Sequence, residues 1–239
     1  MGWNYLDSGM RTAAENMALD GALLSACETE NEPLLHLYDW QQDSATYGHF
    51  IDPYKLLRQE KVEEAGLVLA KRPTGGGIIF HTCDLAFSVC VPAKSDYYSI
   101  NPLENYALIN RRVIWAIQKM MGISGELLSQ DPKIADVDSS KFCMAKPTKY
   151  DVMVGGKKVG GAAQRNKRFG FLHQGSISLG LLPKEQFEDF FIGDDVYANM
   201  KKNTFPLLGD AWTQKDLLDA RAALKASLIE AFSDEYPGD

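Results

Sequence analysis

Gly155-Gly156 separates two runs of strand-forming residues, Tyr-Asp-Val-Met-Val at 150–154 and Lys-Lys-Val-Gly-Gly-Ala-Ala at 157–163. A tight hairpin turn needs left-handed backbone at its two central residues, which glycine adopts without steric cost, so the pattern predicts two antiparallel strands joined at this dipeptide. The run at 171–179, FLHQGSISL, predicts a further strand of the same sheet. At 85–91, Leu85, Phe87, Val89 and Val91 alternate with Ala86, Ser88 and Cys90. A period of two describes a strand with one face in the core. Strand formers also fill 34–40 (LLHLYDW), and a short apolar run at 66–70 leads into KRPTGGGIIFH.

Helical spacing surrounds these strands. Small residues share one face over about 11–26, and Ile109, Val113, Ala116, Ile117 and Met120 recur at helical intervals within 103–121, where Gly122 follows as a C-cap. From Pro183 onward the pattern is helical, with Leu217, Ala220, Leu224, Leu228 and Phe232 on one face. The expected class is α+β, a mixed and largely antiparallel sheet covered by helices. The stretch 124–147 reads as loop with short elements. With no repeat and no Ser/Gly/Pro linker, the chain of 239 residues reads as a single domain over 1–239. Its core spans about 3–182, and a helical tail covers about 183–239.

Hydrophobic residues make up 45% of the chain and charged residues 24%, which suits a packed core, and no segment is apolar enough to span a bilayer. A net charge of −7 argues against a phosphate-backbone footprint, so nucleic acid and membrane are both excluded as expected partners. The amino terminus lacks a basic segment followed by an apolar one, and Cys27, Cys83, Cys90 and Cys143 show neither CxxC spacing nor a metal-ligand pattern. Free thiols in a reducing cytoplasm are the expectation.

Two motifs carry chemistry. Lys71-Arg72-Pro73-Thr74-Gly75-Gly76-Gly77 places two cations beside glycines that expose backbone N–H groups, which suits an anionic ligand; taken alone it also describes a flexible turn with solvated charges. It matches neither a Walker loop nor a dinucleotide fingerprint. In the second motif the hairpin puts Lys157 and Lys158 on opposite faces, so one is solvated and the other points inward. A pocketed lysine followed by Gly160, Gly161 and Ala162 can clamp an acyl or phosphate oxygen. His173 reads equally as a ligand contact or as a core histidine.

Taken together, Arg72 with Gly75-Gly76-Gly77, Phe80 and His81, Asp151, Lys158 with Val159-Gly160-Gly161-Ala162, and His173-Gln174-Gly175-Ser176 resemble the ordered signatures of the lipoate–protein ligase A and octanoyltransferase family. The earlier Asn16, Ala18-Leu19-Asp20, Leu37, Trp40 and Thr46-Tyr47-Gly48 are similar to that family's opening. The resemblance implies the catalytic fold shared with biotin protein ligases. It also implies attachment of lipoate or octanoate to a lysine of a lipoyl carrier domain, either in 2-oxoacid dehydrogenase E2 or in the glycine-cleavage H protein. In the ligase form, ATP and Mg²⁺ produce an acyl-adenylate. Arg72 and the glycines would hold the adenylate, Asp151 would bind nucleotide or Mg²⁺, and Lys158 would grip the acyl and phosphate oxygens. Ile79, Phe80, His81, Gly160, Gly161, Ala162 and His173 would complete the nucleotide and acyl site, with Leu37 and Trp40 lining an acyl slot.

The chain departs from that pattern at three places. Ile51 stands where the family usually has glutamine, and Lys71 replaces the first of two arginines. No separate accessory domain follows, so a separate accessory protein is a possible partner for adenylation. Cys143 lies 15 residues before Lys158, a placement similar to the nucleophile of the octanoyltransferases, which transfer acyl groups through a thioester and use no ATP. Gly77, in contrast, follows the ligase pattern. The leading expectation is therefore an ATP-dependent lipoate–protein ligase using Lys158. The alternatives are a Cys143 thioester transferase and a non-catalytic acyl- or nucleotide-binding homologue.

Overall fold

The computed structural model of the protein describes residues 2–130, 148–193, 196–233 and 236–238. Cys143 lies outside the described residues. The larger of two sheets has seven strands in the order β1 (Asn4–Arg11), β2 (Leu34–Trp40), β6 (Asp84–Pro92), β10 (Gly170–Ser178), β9 (Lys157–Lys167), β8 (Val152–Val154) and β7 (Glu126–Leu127). Within this sheet, among the described residues, only the β1–β2 pairing is parallel. The smaller sheet has the order β4 (Val68–Lys71), β3 (Ser44–Tyr47) and β5 (Ile78–Phe80). The mixed, mostly antiparallel α+β architecture is the one expected.

The hairpin forms as its sequence requires: Gly155 and Gly156 take φ of 56° and 76° between β8 and β9. One residue refines it. Gly160 pairs with Val152 but Lys158 pairs with Met153, so Val159 is an extra residue that bulges β9. Val152 and Val159 both enter the main core, and Lys158 is therefore turned to the opposite face of the sheet.

Helices α3 (Pro102–Met121) and α6 (Gln214–Ala231) cover the core face. Asn101 caps α3 through Leu103 N, and Gly122 at φ 68° closes it. The face of α6 foreseen from spacing, Leu217 through Phe232, packs in the same cluster as Leu85, Phe87, Val89 and Val91. Residues beyond 182 therefore contribute to the principal core rather than trailing from it. Helix α1 (Ala13–Ala26) opens with a capping box between Thr12 and Glu15 and covers the other face together with the small sheet. That second cover corrects one expectation: β6 is buried on both faces, because Ala86 and Cys90 pack beneath α1 while its alternate residues fill the main core. Strand β1 was not foreseen either. It is an exposed edge strand, recruited by backbone pairing with β2 rather than by an apolar face. No helix among the described residues is long and apolar enough to cross a membrane.

Candidate active site

Polar side chains gather on the α1 side of the large sheet. Lys158 and Asp151 are each 1% exposed and form an ion pair of 2.7 Å. Asp151 also accepts from the Thr148 backbone N–H at 2.7 Å and its hydroxyl at 3.0 Å. The preceding residue, Tyr150, holds φ at 70°, a conformation rare outside glycine, and its carbonyl accepts from Asn110 Nδ2 at 2.7 Å. Lys157 is exposed, as opposite projection requires. Asp151 Oδ2 thus takes an ammonium and two Thr148 donors, and a lone carboxylate of this kind would hold Mg²⁺ only together with the phosphates of a bound nucleotide.

The glycine loop joins β4 to β5 and is held from two sides. Arg72, buried, donates through Nη1 to Thr46 O and Oγ1 at 2.9 and 2.8 Å, and through Nη2 to Gly75 O and Gly77 O at 3.0 and 2.8 Å. Its guanidinium thus braces the loop that it was expected to complement as an anion binder. Gly76 adopts φ 89°, and a Cβ on Gly48 would lie 2.0 Å from Gly76 O, so two backbones meet where no side chain fits. Arg165 adds a bond to Pro73 O at 2.9 Å.

Two buried histidine–aspartate pairs support this loop. His81 Nδ1 lies 2.8 Å from Asp84 Oδ2, its Nε2 2.7 Å from Thr46 Oγ1, and its ring stacks on Trp40 with centroids 4.1 Å apart. Asp84 Oδ2 also accepts from Ser176 Oγ at 2.6 Å. In the second pair, His36 Nδ1 lies 2.8 Å from Asp20 Oδ1. Asp20 further accepts from Ser88 Oγ and Gln174 Nε2, both at 2.5 Å, and Gln174 in turn accepts from Thr74 Oγ1 at 2.7 Å. One network ends on Arg72 and the other on Thr74.

The residues singled out from sequence divide between the two faces. Arg72, Gly75, Gly76, Gly77, His81, Trp40 and Lys158 belong to the α1 side, and Gly161 stands there opposite Ser176. Ile79 and Phe80 line the apolar cleft at the end of β5. Leu37, by contrast, is packed in the main core, since an odd offset of three positions along the strand sets it on the opposite face from Trp40. Gly160, Ala162 and His173 also turn toward α3: Gly160 and Ala162 pair with Ile177 and Gly175, and His173 rests near Phe87 and Tyr106. Burial lowers the His173 imidazole to a pKa of about 3, so it is neutral there. The site-facing neighbour is Gln174. Its role, like those of Asp20, His36 and Asp84, was not assigned from sequence, although period-two alternation at 171–179 separates Gln174 from His173.

Burial pushes the Cys83 thiol up to about 12, and Cys90 is raised well above the ordinary range by its hydrogen bond with Cys27 and by burial. Neither is a thiolate near neutrality.

This geometry accompanies clear similarity to known proteins. Residues 12–204 match the family described as lipoyl protein ligase A/B catalytic domain. The chain is 31% identical to octanoyltransferase LipM of Carboxydothermus hydrogenoformans over 73% of its own length and 64% of that relative. It thus spans just under two thirds of that protein. It is 29% identical to octanoyltransferase LipM of Kyrpidia tusciae, covering 97% of this chain and 86% of the relative. In fold it resembles a bi-partite lipoate protein ligase from Thermoplasma acidophilum, with a TM-score of 0.70 at 18% identity over 97% of this chain and 84% of that one. The chain therefore belongs to the lipoyl protein ligase A/B catalytic-domain family of enzymes.

Proposed function

We propose that the protein transfers an octanoyl or lipoyl group to a lysine of a lipoyl carrier domain through a thioester on Cys143. The observation that carries the reading is Lys158, buried against Asp151 on the polar face of the sheet, 15 residues after Cys143. A buried ammonium stabilises negative charge that develops on an acyl oxygen, because its field is little screened there. The acyl chain suits the groove that α1 forms with β4, where Ala14, Met17, Ala18, Leu69 and Ala70 supply apolar surface beside Arg72. The relatives' name, octanoyltransferase, favours transfer over the ATP-dependent ligation ranked first on sequence. So does Arg72, whose four hydrogen bonds to protein oxygens leave it less able to hold an adenylate.

In the first half-reaction the Cys143 thiolate attacks an acyl thioester. A new C–S bond forms, and the donor thiolate leaves with the old bonding pair. In the second, a carrier lysine replaces the cysteine and an amide results. The ligase reading is kept by Gly77 and by the fold neighbour's name; in that case ATP would supply an adenylate as leaving group. The carriers are the lipoyl domain of a 2-oxoacid dehydrogenase E2 or the H protein.

Intact-mass measurement after incubation with octanoyl-carrier protein separates these readings. A thioester-linked octanoyl adduct that forms without ATP and disappears in Cys143→Ser is expected. No adduct, together with carrier labelling that requires ATP and free lipoate, would replace transfer by ligation. Ligand binding with no carrier modification under either condition would leave a non-catalytic binder.

A further inference from the structure

We propose that the apolar cleft between the small sheet and α4 (Lys184–Phe190) admits the acceptor lysine of the carrier, and that Asp84 receives its ammonium. The assignment rests on the acyl-attachment reading above. Phe80, Leu182, Phe187 and Met200 supply apolar lining to the cleft, and Asp84 and Ser176 are among its polar lining.

Asp84 is 6% exposed, and its two oxygens differ. Oδ2 accepts from Ser176 Oγ and is bonded to His81 Nδ1, whereas Oδ1 has no hydrogen-bond partner among the described residues. A buried carboxylate oxygen without a donor is costly, and because Asp84 lines this concave apolar site, a ligand bound there can bring the missing donor. An octanoyl chain brings none. A thioester carbonyl, a thiolate or a phosphate offers only acceptors or negative charge, which this oxygen repels. A lysine side chain meets both requirements: four methylenes match the apolar lining, and the ammonium donates to Oδ1. Thr204 also lines the cleft, and it forms a parallel bridge with Lys158. The nucleophile thereby arrives next to the strand that carries Lys158.

Proton accounting gives Asp84 a chemical task. An ammonium has three protons and an amide nitrogen keeps one, so two must leave. Asp84 takes the first and becomes a carboxylic acid. The freed lone pair forms the C–N bond to the acyl carbon as the C–S bond breaks, and the departing thiolate leaves with that bonding pair and takes the second proton.

The test loads the enzyme with octanoate and follows discharge by intact mass, using either a lipoyl domain or hydroxylamine, which is neutral at pH 7 and needs no such base. In Asp84→Asn, discharge to the lipoyl domain is expected to fall about 100-fold further than discharge to hydroxylamine, the scale of general-base assistance. The gap should narrow as the pH approaches the lysine pKa of about 10.4. Equal losses with both nucleophiles, or a gap indifferent to pH, would overturn the proposal. Met200→Trp, which narrows the cleft without touching the carboxylate, should show the same selective loss and serves if Asp84→Asn does not fold. Binding of n-butylammonium, read from the Ser176 amide resonance, should be saturable in the wild type and lost in Asp84→Asn, while n-butanol affects both proteins alike. Carrier acylation without Asp84-dependent butylammonium binding would reject the cleft and leave the reaction intact. Asp84-dependent binding by a wild-type enzyme that acylates no carrier would do the reverse.

Discussion

Lys158 and Asp151 stabilise the fold mainly as a pair, because removing one leaves the other's charge uncompensated in a site that is 1% exposed. Lys158→Ala should therefore cost about 3–5 kcal/mol in denaturant unfolding. A double variant, Lys158→Met with Asp151→Leu, should regain most of that stability but none of the carrier labelling. Recovery of both would show that the lysine is structural only. His173 gives a pH dependence of a different origin. Its folded pKa is about 3 against about 6.5 in the unfolded chain, so between these values the unfolded state binds the extra proton and stability rises with pH. The penalty is absent above about pH 6.5 and grows on acidification below it. Unfolding curves at pH 7 and pH 5 should show a larger acid loss for the wild type than for His173→Gln.

At the scale of elements, α6 does more than fill the core. Arg221 reaches from it to the turn between His81 and Asp84, donating through Nε to Asp84 O at 2.9 Å and through Nη2 to Thr82 O at 2.7 Å. Leu179 N and Gly180 N bond the intervening Cys83 O. The carbonyls of the turn that aims His81 at Asp84 are thus satisfied by elements distant in sequence. Arg221→Gln should cost about 1–3 kcal/mol by leaving acceptors under-satisfied, and Arg221→Lys should restore part of it in thermal unfolding. The family match ends at residue 204, before this helix begins, so the contact was not visible from the motifs. The hairpin at Gly155-Gly156 was visible, because a two-residue turn is a local event. The bulge at Val159 was not, since it shows only when β8 and β9 are paired.

Over the whole molecule, short-range periodicity and turn chemistry determined the α+β class, the strands at 34–40 and 85–91, helix α3 with its glycine cap, and the apolar stripe of α6. The ordered motifs determined the family, because several of them in sequence order specify far more than one glycine run. Tertiary structure decided which face each polar residue serves. Leu37 and His173 went to the α3 side, while Gln174 joined Asp20, 154 residues away, and Ser176 joined Asp84, 92 residues away. Local spacing carries side-chain alternation but no origin for it. Only the second layer of α1 and the small sheet, laid over a strand already buried on its first face, sets which side becomes the polar site and which becomes the core.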